Sequence, residues 1–347
     1  MEFGSDFHSM DNFFSERASL TRIYPNSLFL ANGRQCIEIL IKKYAWKRIW
    51  MPAYFCYEVM ESIRNTGIET LLYADYPNAY DVSLIENIDF QEGDVLFRVN
   101  FFGLRNYRSN KHISVPIIED HTHDVLGRWA LYSDADWCIA SLRKTYPIAG
   151  GGMLWSPKGH PLPTCEPTEA NYQMTELRWK AMDMKRDYLK GEDIKKEDFR
   201  KLFMETEEMM ESLPLSSMDN RALKLVDYWD INAWYNVKKR NWNLLKKRLP
   251  SNVHCMISED ESCTPFSLVL LLDNRMERDK FRMKLIENHV YPAILWNVPE
   301  DSMEEISDFS QRMISIHCDG RYNESEMTQL GEIIKTCLYD SNNSYNG

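Results

Sequence analysis

The sequence predicts an α/β protein: a three-layer α/β/α large domain with a mostly parallel sheet, followed by a smaller α+β domain. Three observations carry this. From about residue 28 to 156, short apolar runs alternate with helix-patterned stretches, the order of a parallel sheet flanked by helices. A strong helical pattern over 232–249 is stopped by Pro250. Beyond it, strand and helix patterns return in a shorter set. The large domain is placed at 1–245, with a helical insertion at about 157–230, and the small domain at 246–347.

In chain order, Leu28-Phe29-Leu30 is the first predicted strand, and Asn32-Gly33 opens a helix over 35–44 with Ile37, Leu40 and Ile41 at helical spacing. Residues 48–51 form a strand closed by Pro52, and 58–65 a helix stopped by Gly67. Strands follow at 68–73, 95–99, 115–118, 137–140 and 153–155. Residues 157–167 read as a loop, and 169–212 as charged, Met-rich helix serving as a lid or dimer element. The helix over 232–249 links the domains. The small domain then has a strand at 266–272, a helix at 276–288, strands near 290–295 and 313–316, and a last helix at 325–337. Met1-Glu2-Phe3-Gly4-Ser5 has the look of a cloning remnant and is set aside. The polar residues 340–347 read as a frayed end.

Composition narrows the function classes. Hydrophobic residues make up 44% and charged residues 27%, enough apolar content for a sizeable core. The formal net charge of −11 argues against a nucleic-acid partner, which needs a basic stripe. Lys238-Lys239-Arg240 and Lys246-Lys247-Arg248 are basic, but both fall on helix and read as solvated faces. The eight cysteines form no C-x-x-C pair, so no metal site is assigned, and Cys36, Cys138 and Cys318 read as small buried hydrophobes. No apolar stretch reaches membrane-spanning length and no signal-peptide core opens the chain, which leads us to expect a cytoplasmic protein without a membrane partner.

Ligands of parallel sheets collect at the carboxyl ends of the strands. Lys144 sits there, in Ser141-Leu142-Arg143-Lys144, between the apolar run ending at Ala140 and Gly150-Gly151-Gly152. Upstream, Val115-Pro116-Ile117-Ile118 ends in Glu119-Asp120-His121. An acid at one strand end and Ser-x-x-Lys at another are what a pyridoxal phosphate (PLP) site needs. The Asp pairs with the pyridinium nitrogen, and the Lys forms the Schiff base. Asp120 alone also suits a capping acid, and Lys144 alone a surface lysine. His121 and His123 lie beside Asp120, to stack on or hydrogen-bond a ring; read as metal ligands, they lack further partners. Ser141 can reach a phosphate. Asn32-Gly33-Arg34 can hold one on free N–H groups at a helix start, or simply begin a helix. Tyr54, Phe55 and Tyr57 offer aromatic faces for a flat ring, or core packing. Asn100 can meet a ring oxygen, or form a turn.

On these residues the chain resembles the PLP-dependent fold-type-I aminotransferases of the DegT/DnrJ/StrS type, whose members transaminate keto-sugars attached to nucleotides. Asn32-Gly33-Arg34 is similar to the family's small-Gly-Thr/Arg phosphate turn, and Pro52-Ala53-Tyr54 to its P-x-Y strand end. Val99-Asn100-Phe101-Phe102-Gly103 is similar to V-H/N-x-Y/F-G, and Glu119-Asp120-His121-Thr122-His123 to E-D-A-A-H/Q. Ile314-Ser315-Ile316-His317-Cys318-Asp319-Gly320-Arg321-Tyr322 is similar to the closing L-S-L-P-x-D-x-R-Y. The resemblance implies Lys144 as Schiff-base lysine and Asp120 as pyridinium partner. It implies that Ser141, Gly33 and Arg34 hold the phosphate and that His123 lies near the ring oxygen with Asn100 in support. It also implies a homodimer. Departures are a Ser141–Lys144 spacing of three residues where the group has five, no glutamate in the glycine triplet, and Cys56 at the place of the ring-stacking aromatic. One of Tyr54, Phe55 or Tyr57 is left to stack.

The expected function is therefore transfer of an amino group from an amino-acid donor, glutamate first, to a keto-substrate, with a nucleotide sugar for surface polysaccharide as the leading acceptor. The alternatives are another PLP reaction, or a PLP-type fold kept for binding or regulation.

Overall fold

The computed structural model describes residues 2–11, 13–14, 18–79 and 83–343. The elements run β1 (Phe3–Gly4), α1 (Leu20–Ile23), β2 (Ser27–Leu30), α2 (Gly33–Tyr44), β3 (Arg48–Pro52), α3 (Tyr57–Arg64), β4 (Glu69–Tyr73), α4 (Ser83–Glu86), β5 (Asp94–Val99), β6 (Ile117–Asp120), α5 (Arg128–Leu131), β7 (Trp137–Ser141) and β8 (Gly152–Trp155). After them come α6 (Glu169–Leu189), α7 (Lys196–Glu211), α8 (Asn220–Tyr228), α9 (Ile231–Lys246), β9 (His254–Cys255), β10 (Leu268–Leu271), α10 (Arg275–Glu287), β11 (Val290–Tyr291), α11 (Glu304–Arg312), β12 (Met313–Ile316) and α12 (Glu324–Asn343).

Seven strands form the central sheet in the order β2-β8-β7-β6-β5-β3-β4. β8 pairs antiparallel with both neighbours and the other pairings are parallel, so the sheet is mostly parallel as expected. The period-two alternation of a strand sends Val95, Phe97, Val99, Ile118, Ile139 and Leu154 into one core, which includes Ile37, Leu40, Met60 and Ile63 of α2 and α3. Leu96, Ile117, Cys138, Ala140, Met153 and Trp155 face the opposite core. That second core holds Trp179 and Met182 of α6, Phe199 and Phe203 of α7, and Trp234 of α9, so the insertion lies against the sheet. Both faces are thus covered, which is why these strands read as continuous apolar runs. Register sets up the site: Val99, Asp120 and Ile139 lie side by side, and Gly152 lies between Leu30 and Ser141.

The small domain has an antiparallel sheet β12-β10-β9 around a core of Leu268, Leu270, Phe281, Ile314, Ile316 and Leu330. Helix α9 carries Trp234 into the large-domain core and Trp242 and Leu245 into this one, and so links the two.

Four expectations change. The opening residues, set aside as a remnant and counted with the large domain, form β1, which pairs with β11 of the small domain. Their apolar member makes them structural: Phe3 is buried in the small-domain core. β6 starts at Ile117 rather than Val115, and it runs through Glu119 and Asp120. The strand near 290–295 shortens to Val290–Tyr291, because Pro292 lacks the N–H to continue it. The frayed end is helix α12 as far as Asn343; residues 344–347 lie outside the described residues. Among the described residues no helix is long and apolar enough to cross a membrane.

Candidate active site

A cavity of about 330 Å³ opens at the carboxyl edge of the sheet, over the ends of β2, β3, β6 and β7. One end is the start of α2. Asn32, in extended backbone, caps the helix by accepting the Gln35 N–H (3.1 Å), and Asn32, Gly33, Arg34 and Ser141 line the cavity there. The fit is glycine-dependent. A Cβ on Gly33 would lie 2.8 Å from Ser141 Cβ, and one on Gly152 would lie 2.2 Å from the Asn32 carbonyl oxygen. The first turn of α2 therefore rests directly on the β7–β8 strand ends, in the position where a helix N-terminus holds an anion.

Asp120 and Lys144 line the same cavity. Asp120 accepts the Thr122 N–H (2.8 Å), and Thr122 Oγ1 in turn accepts the Ser141 N–H (2.9 Å), which ties the acid to the lysine-bearing loop. Burial raises the Asp120 carboxyl above its usual range despite the Thr122 hydrogen bonds and the charge of Lys144. For Lys144, burial lowers the amine, as do Arg143 and Arg34, while Cys56 and Asp120 oppose. A desolvated lysine of this kind loses its proton readily and becomes nucleophilic. Its Nζ lies 5.8 Å from the Trp296 ring centroid. Trp296 is held by donating its N–H to Tyr54 Oη (2.9 Å), and its ring is near-parallel to His123 at 6.0 Å. His123 Nδ1 accepts the Phe102 N–H (2.9 Å), and burial keeps the ring well below its usual pKa. It is thus a neutral imidazole with its proton on Nε2.

The insertion closes one wall. Glu207 and Met210 of α7 line the cavity beside Arg143. Arg143 meets Glu207 with both terminal nitrogens, at 2.9 and 3.1 Å, and Arg178 of α6 meets it at 2.9 Å. A second cavity of about 320 Å³ adjoins the first, sharing His123, Arg143, Lys144 and Trp296 and adding Arg178, Phe203, Phe266 and His317.

Of the residues singled out in the sequence, Gly33, Arg34, Phe55, Asp120, His123, Ser141 and Lys144 meet in the first cavity. Tyr54 and Asn100 do not line it. Tyr54 is fully buried beneath Trp296, with its hydroxyl committed to Leu295 and Trp296. Asn100 is a turn former: its carbonyl accepts the Gly103 N–H (3.3 Å) and its Oδ1 the Arg105 N–H (3.3 Å). The ring faces at hand are Phe55, Tyr57 and Trp296. Thr122, Arg143, Glu207 and Met210 were not foreseen; the last two come from a distant helix with no local signal. His121 points away from the cavity, to Glu119 (3.1 Å). Glu119, His121 and Cys138 cluster closely enough to suggest metal ligands, but Asn110, Arg98, Ser133 and His121 already occupy both Glu119 oxygens. The Glu119 carboxylate is thus fully engaged in a buried network, in which His121 Nδ1 has no hydrogen-bond partner among the described residues.

By sequence the chain matches no protein-family model and no curated protein. By structure it is similar to the candidate sugar aminotransferase Spr1654 of Streptococcus pneumoniae in its PMP-form, with TM-score 0.66 and 12% identity over 94% of this chain and 90% of that one. It is also similar to 3-amino-5-hydroxybenzoic acid synthase, with TM-score 0.61 and 15% identity over 92% and 88% of the two chains. Helicobacter pylori PseC, an aminotransferase in pseudoaminic acid biosynthesis, aligns with TM-score 0.65 and 10% identity over 98% and 100%. These likenesses establish the fold alone: this chain shares with the three proteins a mixed α/β architecture built on a mostly parallel central sheet.

Proposed function

We propose that the chain is a PLP-dependent aminotransferase. It would move an amino group from an amino acid, with glutamate the first donor to test, to the keto group of a sugar. We take that sugar to be nucleotide-linked and destined for surface polysaccharide. One observation carries the reading: Asp120 and Lys144, from neighbouring strand ends, face one cavity whose other end is the glycine-dependent start of α2 against Ser141. The residues fit the cofactor. Gly33, Arg34 and Ser141 would hold its phosphate, and Asp120, a buried carboxylate short of donors, would hold the protonated ring nitrogen. When bound, the cofactor supplies an electron sink. Asp120 keeps that sink protonated. The neutral His123 donates from Nε2, and Phe55 and Trp296 exclude water from the ring faces. Lys144 Nζ takes the proton from the donor's α-carbon. The donor leaves as a 2-oxo acid and the acceptor leaves as an amine.

In support, two of the fold neighbours described above, Spr1654 and PseC, are by their own descriptions aminotransferases. The same reading makes the protein a cytoplasmic homodimer, which a solution mass measurement checks. The function is tested by adding PLP, reducing with borohydride and mapping peptides. A pyridoxyl group on Lys144, absent from Lys144→Ala, is expected, together with conversion to the pyridoxamine form on adding glutamate. A label spread over surface lysines would overturn the proposal.

A further inference from the structure

A carboxylate already sits between two arginines at the wall of this site, and it belongs to the chain itself. Arg143, the residue before Lys144, grips Glu207 in a two-pronged arrangement at 2.9 and 3.1 Å, the geometry in which a guanidinium recognises a carboxylate. Arg178 approaches the same carboxylate at 2.9 Å and is otherwise held by Asp6 (3.2 Å) and Thr206 Oγ1 (3.1 Å). The arginines are the buried partners: side-chain exposure is 6% for Arg178 and 17% for Arg143 against 42% for Glu207. Arg143 Nε is buried and has no hydrogen-bond partner among the described residues. Arg143 borders both cavities, Glu207 the first and Arg178 the second, so the pair stands where the cavities join beside Lys144.

We propose that Arg143 and Arg178 are the carboxylate subsite for the amino donor, and that Glu207 stands in for the donor's carboxylate until a donor arrives. The inference rests on the aminotransferase reading above. A phosphate is the weaker occupant, because the phosphate cradle lies at the Gly33–Ser141 end and the present occupant is itself a planar two-oxygen group. Exchange needs only a side-chain rotation: Glu207 is on the half-exposed face of α7 and can turn to water as an incoming carboxylate takes its place on the buried arginines. Asp6 stays on Arg178 throughout, so an incoming carboxylate restores the charge that Glu207 removes. The insertion then acts as a specificity element, admitting donors that outcompete its own carboxylate.

Glutarate, a dicarboxylate without an amine, tests this by calorimetric titration of the PLP-loaded protein. Glu207→Gln should bind glutarate at least about fivefold more tightly than the unaltered chain, the gain expected when a half-exposed competitor is removed. Adding Arg178→Gln should abolish that gain. Inorganic phosphate in a parallel titration should gain less than glutarate. Unchanged or weaker glutarate binding in Glu207→Gln, or a larger gain for phosphate, would overturn the subsite. Should Glu207→Gln not fold, Glu207→Asp, which retracts the carboxylate by one methylene, is expected to shift affinity in the same direction, and an unchanged affinity there overturns it equally. The borohydride label is read separately. Label on Lys144 without the glutarate gain removes this inference alone. The gain without the label removes the donor assignment and the aminotransferase reading together.

Discussion

Adjacent carboxylates on β6 have opposite surroundings. Glu119 accepts Asn110 Nδ2 (2.8 Å) and Ser133 Oγ (2.6 Å), meets His121 Nε2 at 3.1 Å and lies 3.7 Å from Arg98. Burial alone would raise its carboxyl, but the hydrogen bond and charge of His121, then Arg98 and Ser133, outweigh burial and hold it at about 2. Asp120, one residue on, has only the Thr122 hydrogen bonds and the weaker influence of the Lys144 and His121 charges to set against burial, and stays raised. Glu119 is a finished structural ion, whereas Asp120 lacks the cation that a protonated ring nitrogen would supply. The sign of the pH effect follows. Glu119 has a folded value near 2 below an ordinary 4.5, so its contribution is present above 4.5 and fades as pH falls toward 2, where the unfolded chain binds the extra proton. The shift corresponds to roughly 3 kcal/mol. We expect Glu119→Gln to lose about that much stability at pH 7 and clearly less at pH 3, by denaturant unfolding at both. An equal loss at the two pH values would show that the charge is not responsible.

At the level of elements, the start of α2 shows what can be read ahead of a structure and what cannot. Asn32-Gly33 before an apolar-periodic run announces a capped helix, expected over 35–44, and the helix begins two residues earlier, at Gly33. That the glycine is required by Ser141 could not be read, because the contact joins two strand ends far apart in the chain. The same limit applies to β8: its apolar run was recognisable, but its antiparallel direction depends on how the glycine-rich turn re-enters the sheet. The reach of α7 into the site depends on how the insertion lies on the sheet, which an all-helical pattern leaves open. Lys144, Asp120 and His123 reach the cavity and Tyr54 and Asn100 do not: strand-end position is local and can be read, but it does not say which way a side chain turns. Gly33→Ala tests the contact. The new Cβ meets Ser141 Cβ and Cα, which belong to a strand end and cannot swing aside. Overpacking should cost about 1–3 kcal/mol, and PLP affinity should fall at least about tenfold as α2 lifts from Ser141. Wild-type affinity in a spectroscopic PLP titration would mean that α2 does not hold the phosphate.

Across the whole molecule, the beginning, the end and the insertion of the chain meet at one place. Gly4 donates its N–H to Tyr322 Oη (2.7 Å), and Arg321 donates to the carbonyls of Ser5 (3.2 Å) and Asp6 (3.1 Å) while Asp319 holds it from the other side at 2.8 Å. The closing Asp319-x-Arg321-Tyr322 segment therefore works here as a clamp on the first residues. Those residues reach the insertion in turn: Lys196 of α7 bonds Glu2 and Tyr291, and Asp6 bonds Arg178. The small domain is thus connected to the wall of the cavity through a segment whose first five residues have the look of a cloning remnant. Phe3 is the anchor, with 1% of its surface exposed. Phe3→Ala should cost about 3–5 kcal/mol in denaturant unfolding, the usual penalty for emptying a buried aromatic site. Removing residues 1–6 should add loss of Asp6 from Arg178, lowering glutamate turnover while Lys144 still takes the borohydride label. If the truncated chain keeps both its stability and its turnover, the opening strand is an accessory to the fold and the clamp has no part in setting the arginine pair.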